Sequence, residues 1–114
     1  MTSREKKNYR QTKKFKTLRS HLINERGPYC ELCGVKRPKG KGLHVHHIDP
    51  NAYGNEQPED LALLCPTCHK HIVERLVTSY RGKSYRKNAF NEGLRTLVKH
   101  FSIYLSVDKE ARND

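Results

Sequence analysis

Two cysteine pairs constrain this chain more than any other feature of its sequence. They are Cys30-x-x-Cys33 and Cys65-x-x-Cys68. A Cys-x-x-Cys turn lets two sulfurs converge on one ion, and two such turns complete the tetrahedral ligand set of a structural zinc. The stretch between the pairs is long enough to contain a hairpin. The spacing therefore predicts a closed site in which all four cysteines bind one zinc ion.

Disulfide bonding and redox chemistry are the alternative uses of these cysteines. Two disulfides would suit a small secreted protein, but residues Met1 to Lys7 are hydrophilic and no apolar signal-peptide stretch opens the chain. A redox-active pair would need a strand–helix context around one pair and would leave the other pair unexplained. We therefore expect reduced thiols that bind metal, in a cytoplasmic protein.

The composition indicates one small domain with a modest core. The 114 residues are 34% hydrophobic, and the chain has no tryptophan. A core of this size is expected to gain part of its stability from a bound metal. We divide the chain into a basic N-terminal helix or arm at residues 1–26, a metal-binding core at 27–82, and a C-terminal amphipathic helix and tail at 83–114, all within one compact domain.

Positive charge is concentrated at the amino end of the chain. The net charge is +11, and residues 1–26 hold nine lysines and arginines against two glutamates. Such an arm attracts polyanions, nucleic acid first and an anionic membrane surface second, although solvated lysine-rich helices are also common. No stretch approaches the roughly 20 apolar residues of a membrane-spanning helix. The predicted DNA contacts are Lys13, Lys14, Lys16 and Arg19.

Residue periodicity predicts helices around a short hairpin. Residues 3–26 are predicted to form one helix, Leu43 to Ile48 alternates as a strand, and Leu61 to Leu64 is a short apolar run. A further helix is expected from about Pro66 to Gly82. The apolar residues expected to face the core from these two helices are Phe15, Leu18 and Leu22, and then Ile72, Val73, Leu76, Val77 and Tyr80.

A last helix is predicted over residues 88–107, with Asn88 as a candidate N-cap. Its expected buried stripe consists of Leu94, Leu97, Val98, Phe101, Tyr104 and Leu105. The predicted fold class is therefore α+β.

Three histidines stand close to the cysteines in the sequence. His46 and His47 lie in the predicted strand, and His69 directly follows the last cysteine. Successive side chains of a strand point to opposite faces, so one member of the doublet can bind a metal while the other faces a substrate. The metal turn would fix the position of His69. The same spacing is also compatible with surface or packing histidines.

The order of these motifs resembles that of the HNH endonucleases. The residues that carry the resemblance are Cys30-x-x-Cys33, Val45-His46-His47-Ile48-x-Pro50 and Leu61-x-x-Leu64-Cys65-x-x-Cys68-His69. The chain is most similar to small zinc-stapled members from phages and bacterial restriction systems, over residues 15–80. The resemblance implies a ββα-metal motif, in which a two-stranded hairpin packs on one helix with the active site between them.

The resemblance also implies a role for each histidine. His46 would be a ligand of a catalytic divalent cation, His47 the general base, and His69 the other protein ligand. Histidine suits the role of base because its ordinary pKa lies near neutral pH. The cation would be Mg²⁺, Mn²⁺, Ni²⁺ or Zn²⁺, and the sequence does not choose among them.

The sequence departs from the family pattern at Asp60, where the family usually has asparagine. An aspartate can accept a hydrogen bond or bind a hard cation, but it cannot donate as an amide does. We therefore predict Asp60 as a catalytic-site residue whose task is open, with Asn51 and Asn55 as alternatives in the same loop. His44 precedes His46 by two residues and has no assigned role.

These features together predict a metal-dependent DNA endonuclease that nicks or cuts double-stranded DNA. DNA is the expected partner, and phage packaging proteins are a further expected partner. One alternative is a non-catalytic zinc module that binds nucleic acid. Another is an interaction module, in which the basic arm and the last helix bind a protein.

Overall fold

Helices flank a two-stranded antiparallel sheet in this protein. The computed structural model describes the backbone of residues 2–112 and the side chains of residues 2–99. The elements in chain order are α1 (Ser3–Arg10), α2 (Lys13–Arg26), β1 (His44–His47), β2 (Leu61–Leu64), α3 (Arg75–Ser79) and α4 (Ser84–Arg112). This arrangement confirms the predicted α+β class. Within the described residues, no helix is both long and apolar enough to cross a membrane.

The amino-terminal region forms two helices, whereas the sequence predicted one. The break lies at Thr12, whose hydroxyl donates to the Tyr9 carbonyl at 2.7 Å and accepts from the Phe15 amide at 3.3 Å. At the start of a helix the first amides have no carbonyl partner, and the Thr12 side chain satisfies one of them. A helix start at Thr12 therefore competes with a continuous helix. The break lets α1 pack beside the functional site described below.

The hairpin places the His46-His47 doublet on two opposite faces. β1 and β2 pair antiparallel, with His46 opposite Ala62 and His47 opposite Leu61. Every residue of β2 is buried, so this strand lies at the centre of the fold. Because side chains alternate along β1, His44 and His46 point to one face and His47 to the other.

Each face of the hairpin packs on a separate hydrophobic cluster. The cluster that joins the hairpin to α2 contains the buried residues Phe15, Leu22, Val45, Leu61 and Leu63. The cluster on the other face contains Cys30, Leu43, Ile48, Ala62, Leu64, Cys65, Cys68, Val73, Leu94 and Val98. Each fully buried leucine contributes about 1.5–3 kcal/mol through removal of apolar surface from water. Cysteines therefore form part of the core on the second face.

The helix after the second cysteine pair begins with an unusually wide turn. Residues Cys68–Glu74 are π-helical and continue without a break into α3. Val73 is fully buried, whereas Ile72, predicted to share its face, is 43% exposed. A π-helix brings residues five apart onto one side. His69 and Glu74 therefore lie next to each other.

A buried ion pair ties α2 to the first cysteine turn and to β2. The Arg26 guanidinium donates to Glu31 at 3.0 Å and to the Leu61 carbonyl at 2.7 Å. The same Glu31 oxygen accepts the Leu63 amide at 2.7 Å. Burial raises the pKa of Glu31, although the Arg26 charge acts in the opposite direction. Glu31 thus connects the metal turn to the central strand.

The last helix begins earlier than predicted, at Ser84 rather than at Asn88. Leu94 and Val98 are buried as expected, whereas Leu97 is 39% exposed. Leu94 and Val98 dock α4 on the second hydrophobic cluster. The remaining predicted stripe residues, Phe101, Tyr104 and Leu105, lie outside the described side chains.

Candidate functional site

The four cysteines are placed to bind one metal ion. They form no disulfide, and their sulfurs all lie within 4.8 Å of one another. The Cys33 and Cys65 sulfurs are 3.9 Å apart. Sulfurs at the corners of a zinc tetrahedron with bonds of about 2.3 Å would be separated by about 3.8 Å. The donor set and its spacing therefore fit a structural zinc, as the sequence predicted.

The two cysteine turns are built in the same way. The Cys33 amide points at the Cys30 sulfur at 3.5 Å, and the Cys68 amide points at the Cys65 sulfur at 3.4 Å. Burial opposes ionisation of Cys30, but backbone amides, that of Cys33 foremost, bring its pKa down to about 7. The Cys33 amide thus favours the thiolate at Cys30, whereas burial raises the pKa of Cys33 and of Cys68. A zinc ion needs thiolates, so its binding would release the protons that these two cysteines hold.

A second site lies in a cleft of about 720 Å³ beside the hairpin. All three predicted histidines line it, together with His44. The lysines and arginines that line it are Lys6, Arg10, Arg19, Lys70 and Lys87. The cleft therefore combines several imidazoles with an excess of positive charge, a combination suited to a phosphate-containing ligand.

His47 is held between aromatic rings. Its ring stacks on Tyr53 at a centroid distance of 3.7 Å and lies 6.0 Å from Phe15, nearly parallel to it. Tyr9 packs edge-on against both of these aromatic residues. Since Tyr9 and Phe15 belong to α1 and α2, the amino-terminal helices form one wall of the site.

A buried carboxylate orients His47. The His47 Nε2 atom lies 3.0 Å from a Glu56 oxygen, and both side chains are at most 3% exposed. The Tyr9 hydroxyl donates to the same carboxylate at 2.8 and 2.9 Å. Although burial raises it, the hydrogen bonds from His47 and Tyr9 bring the pKa of Glu56 below its ordinary value. Glu56 is therefore ionised, and Nε2 carries the proton that it accepts.

The other ring nitrogen of His47 is left as an acceptor. Nδ1 is buried and has no hydrogen-bond partner among the described residues. Burial lowers the pKa of His47, and the opposing effect of Glu56 does not restore it. The neutral ring thus presents a lone pair at Nδ1 that a water molecule or a substrate oxygen would satisfy.

His46 and His69 meet on the opposite face of β1. Their ring centroids are 5.2 Å apart. Burial lowers the pKa of His46 to about 4, helped by the repulsion that would arise if His69 were protonated too, and burial likewise lowers the pKa of His69. Both rings are therefore neutral at physiological pH, the form in which histidine binds a metal.

Glu74 holds the outer nitrogen of His69. The His69 Nε2 atom lies 3.3 Å from a Glu74 oxygen, and His69 Nδ1 faces His44 at 3.0 Å. Metal-binding histidines commonly have a carboxylate beside their second ring nitrogen, and Glu74 occupies that position as a charge contact. The contact depends on the π-helical turn, because it joins residues five apart.

The side chain of Asp60 lies away from the histidines. Its carboxylate accepts the Gln57 amide at 3.2 Å and lies 3.9 Å from the Arg95 guanidinium. Its carbonyl accepts the Ile48 amide at 2.7 Å. Neither Asp60 nor the alternatives Asn51 and Asn55 are among the described residues that line the cleft. In this structure Asp60 organises the loop that precedes β2.

The four basic residues predicted to contact DNA have different environments. Lys13 and Lys16 are exposed on α2, and the exposed Lys14 donates to the Gly54 carbonyl at 3.0 Å. The Arg19 guanidinium donates to the carbonyls of Gly40 and Leu43 at 2.6 and 3.0 Å. Arg19 thus has a structural partner, although it also lines the cleft.

Sequence reasoning did not identify Glu56, Glu74, Tyr9 or Tyr53 as site residues. Tyr9 lies 47 residues before Glu56 in the chain, and Glu56 lies in a loop without periodicity. A carboxylate five residues after His69 would have been a signal only if the π-helical turn had been known.

Comparison with known proteins supports the motif-based resemblance. The HNH endonuclease family model matches residues 30–75. An H-N-H endonuclease of Escherichia phage T5, F-TflIV, is 41% identical over 56 residues, which cover 46% of this chain and 24% of the phage protein. The chain thus spans about a quarter of the length of that relative. No solved structure matches the chain. The predicted resemblance to HNH endonucleases is confirmed.

Proposed function

We propose that this protein is a metal-dependent endonuclease that hydrolyses phosphodiester bonds in DNA. One observation carries the proposal: Glu56 holds His47 through Nε2 and leaves Nδ1 unpartnered among the described residues. On the adjacent position of β1, His46 faces His69. The match of residues 30–75 to the HNH endonuclease model supports the nuclease class.

His47 acts as the general base in this proposal. Because Nε2 donates to Glu56, the lone pair of Nδ1 can accept a proton from an attacking water. Glu56 keeps the ring in this tautomer and stabilises the imidazolium that forms. Tyr9 and Tyr53 restrict rotation of the pair, since one hydrogen-bonds Glu56 and the other stacks on the ring.

His46 and His69 would hold the divalent cation. Their rings are neutral and face each other from β1 and the π-helical segment, and the charge of Glu74 beside His69 Nε2 favours a lone pair at Nδ1. When bound, such a cation stabilises negative charge on a phosphoryl oxygen and on the leaving oxygen. Few protein ligands leave coordination positions for phosphate and water, in contrast to the closed thiolate set.

The basic side chains of the cleft would guide the DNA backbone to this centre. Lys6 and Arg10 come from α1, Lys70 from the π-helical segment and Lys87 from α4. By family resemblance, the products would be a 5′-phosphate and a 3′-hydroxyl. A single site of this kind nicks one strand, and two-strand cleavage needs a dimer or successive events.

Nicking of supercoiled plasmid in the presence of Mg²⁺, Mn²⁺, Ni²⁺ or Zn²⁺ tests the proposal. We expect relaxed circles with at least one of these ions and none in EDTA. His47→Ala should lower the nicking rate by about 10²–10⁴-fold, the usual contribution of a positioned base. His47→Gln, which keeps most of the ring volume, should lose activity similarly.

His71→Ala is the matched control, because His71 is exposed on the same π-helical segment and does not line the cleft. It should retain the wild-type rate. Folding of each variant is checked by thermal melting and zinc content. A folded His47→Gln protein that nicks as fast as wild type would remove His47 from the mechanism.

A non-catalytic, zinc-stabilised module that binds nucleic acid is the second candidate. The position of Asp60 favours it, because the carboxylate bonds to Gln57 and lies near Arg95 rather than near the histidines. The plasmid assay separates the two candidates, since this module would bind DNA without relaxing it. Association with phage packaging proteins stays a prediction under either candidate.

A further inference from the structure

His44 occupies the same face of β1 as His46 and contacts His69 directly. It is the first residue of the strand, two positions before His46. Its Nδ1 atom lies 3.0 Å from Nδ1 of His69, and the two ring centroids are 5.2 Å apart. His69 thus lies between two imidazoles, each at the same centroid distance.

The carboxylate of Glu74 influences which ring nitrogen of His69 carries the proton. Glu74 lies 3.3 Å from Nε2 of His69, and its negative charge favours the tautomer that carries the proton on Nε2. In that tautomer the facing Nδ1 has a lone pair and no proton. The close approach of His44 Nδ1 therefore has two physical explanations. Either His44 donates a hydrogen bond to His69, or both nitrogens present lone pairs to one cation.

The distances agree with a shared cation. With metal–nitrogen bonds of about 2.1 Å, two imidazoles on one ion place their nitrogens about 3.0–3.4 Å apart and their ring centroids about 4.5–5 Å apart. The separations of 3.0 Å and 5.2 Å are close to these values. The ring nitrogens of His44, His46 and His69 do not all lie within 4.8 Å of one another, so ion binding requires that His44 and His46 close around His69.

We infer that His44 is a third ligand of the divalent cation, so that the site is a three-imidazole centre rather than a pair. This inference rests on the proposed function, which places the cation at His46 and His69. Three imidazole ligands favour borderline ions such as Ni²⁺ and Zn²⁺, whereas Mg²⁺ prefers oxygen ligands. The centre should therefore bind Ni²⁺ much more tightly than Mg²⁺.

Direct calorimetric titration of Ni²⁺ into protein with its thiolate site already filled with zinc tests the inference. His44→Ala should weaken Ni²⁺ binding by at least about tenfold, since even the partners of ligands change metal affinity by 10–100-fold. His44→Gln should weaken it similarly, and its comparable size protects the fold. Mg²⁺ binding should change little in either variant.

The reference variants are His46→Ala, His69→Ala and, as the matched control, His71→Ala. The first two should weaken Ni²⁺ binding, and the control should bind as wild type does. If His44→Gln binds Ni²⁺ as tightly as wild type while His46→Ala does not, His44 is only a hydrogen-bond partner and the proposed function stands. If His46→Ala and His69→Ala also bind normally, the cation site itself fails, and the proposed function fails with it.

Discussion

The thiolate site and the imidazole cleft lie on adjoining parts of the chain, yet they are built differently. The thiolate site gathers four sulfurs within 4.8 Å, and three of its cysteines are buried. The cleft distributes its imidazoles over both faces of β1 around a volume of about 720 Å³. A closed ligand set leaves no coordination position for a substrate, whereas an open set does. Under the proposed function, the sulfurs would supply stability and the imidazoles the chemistry.

The two sites also differ in what fixes their ligands. In the thiolate site, amides within each Cys-x-x-Cys turn point at the sulfurs. In the cleft, side chains that are distant or depend on an unusual turn hold the rings: Glu56 and Tyr53 hold His47, and Glu74 holds His69. Local backbone geometry therefore builds one site, and the complete fold builds the other.

Among the changes that separate the two sites, removal of the zinc should have the largest effect, and it should act on stability. Cys65→Ser, or chelation of the zinc, should abolish the cooperative melting transition, because structural zinc contributes roughly 10–16 kcal/mol of apparent binding free energy to such domains. Circular dichroism and zinc analysis would measure the loss. His46→Ala should retain both zinc and the transition. An unchanged melting midpoint in Cys65→Ser would contradict the structural role of the thiolates.

Arg26→Ala should have the next largest effect on stability, because it removes the link between α2 and the thiolate turn. It leaves the Glu31 carboxylate buried without its charge partner, a change that costs about 3–5 kcal/mol. Chemical denaturation would measure the loss in the free energy of unfolding. Glu25→Ala, an exposed position on the same helix, is the control and should change little. Equal stabilities of the two variants would show that the ion pair does not support the thiolate turn.

Glu56→Gln should affect the imidazole cleft and leave the thiolate site unchanged. Glutamine still accepts a hydrogen bond from His47 but carries no charge to stabilise the imidazolium, so kcat should fall by about 10–100-fold. KM, Ni²⁺ affinity and the melting midpoint should stay near wild-type values. Tyr9→Phe, which removes one donor to the same carboxylate, should lower kcat by a smaller factor.

A purely structural role for Glu56 would give a different pattern. Glu56→Gln would then lower the melting midpoint and leave kcat of the folded fraction unchanged. Glu56→Asp, which restores the charge with a shorter side chain, should recover part of kcat if the charge on Glu56 is what matters.

The sequence predicted the parts of this molecule that depend on local spacing. The cysteine turns, the hairpin and the division of His46 from His47 follow from patterns of two to four residues. Two local signals were misjudged: Thr12 divides the amino-terminal helix, and α4 begins at Ser84. The first error concerns a helix cap, where one side-chain hydrogen bond of Thr12 decides the boundary.

Short sequence patterns could not predict the residues that support the histidines of the cleft. Glu56 reaches His47 only because the loop between the strands folds back against α1, and Tyr9 reaches Glu56 only because the helix breaks at Thr12. Glu74 meets His69 only through the π-helical turn. Each contact is a consequence of tertiary structure, so no spacing rule could have indicated it. Asp60 is the opposite case. The sequence identified its motif position, but its side chain lies near Arg95 and not beside the histidines.

Neutralising lysines of the basic arm should have the smallest of these effects. It tests whether α2 also contacts DNA or only forms a wall of the imidazole cleft. Lys13, Lys14 and Lys16 are exposed, with one hydrogen bond from Lys14 to the Gly54 carbonyl, whereas Arg19 donates to two backbone carbonyls. Replacing the three lysines by glutamine should reduce the slope of log affinity for DNA against log salt by about 0.9 for each lost phosphate contact. Zinc content and the rate at saturating DNA should not change.

The matched control replaces Lys36, Lys39 and Lys41, three exposed lysines of the loop before β1, with glutamine. It removes the same charge from a different surface. If the arm contacts phosphate, only the arm variant should lose slope, and all DNA sequences should be affected equally because backbone contacts carry no sequence information. Equal losses in both triple variants would mean that net charge alone attracts DNA. The contribution of α2 to function would then reduce to the Phe15 ring that packs against His47.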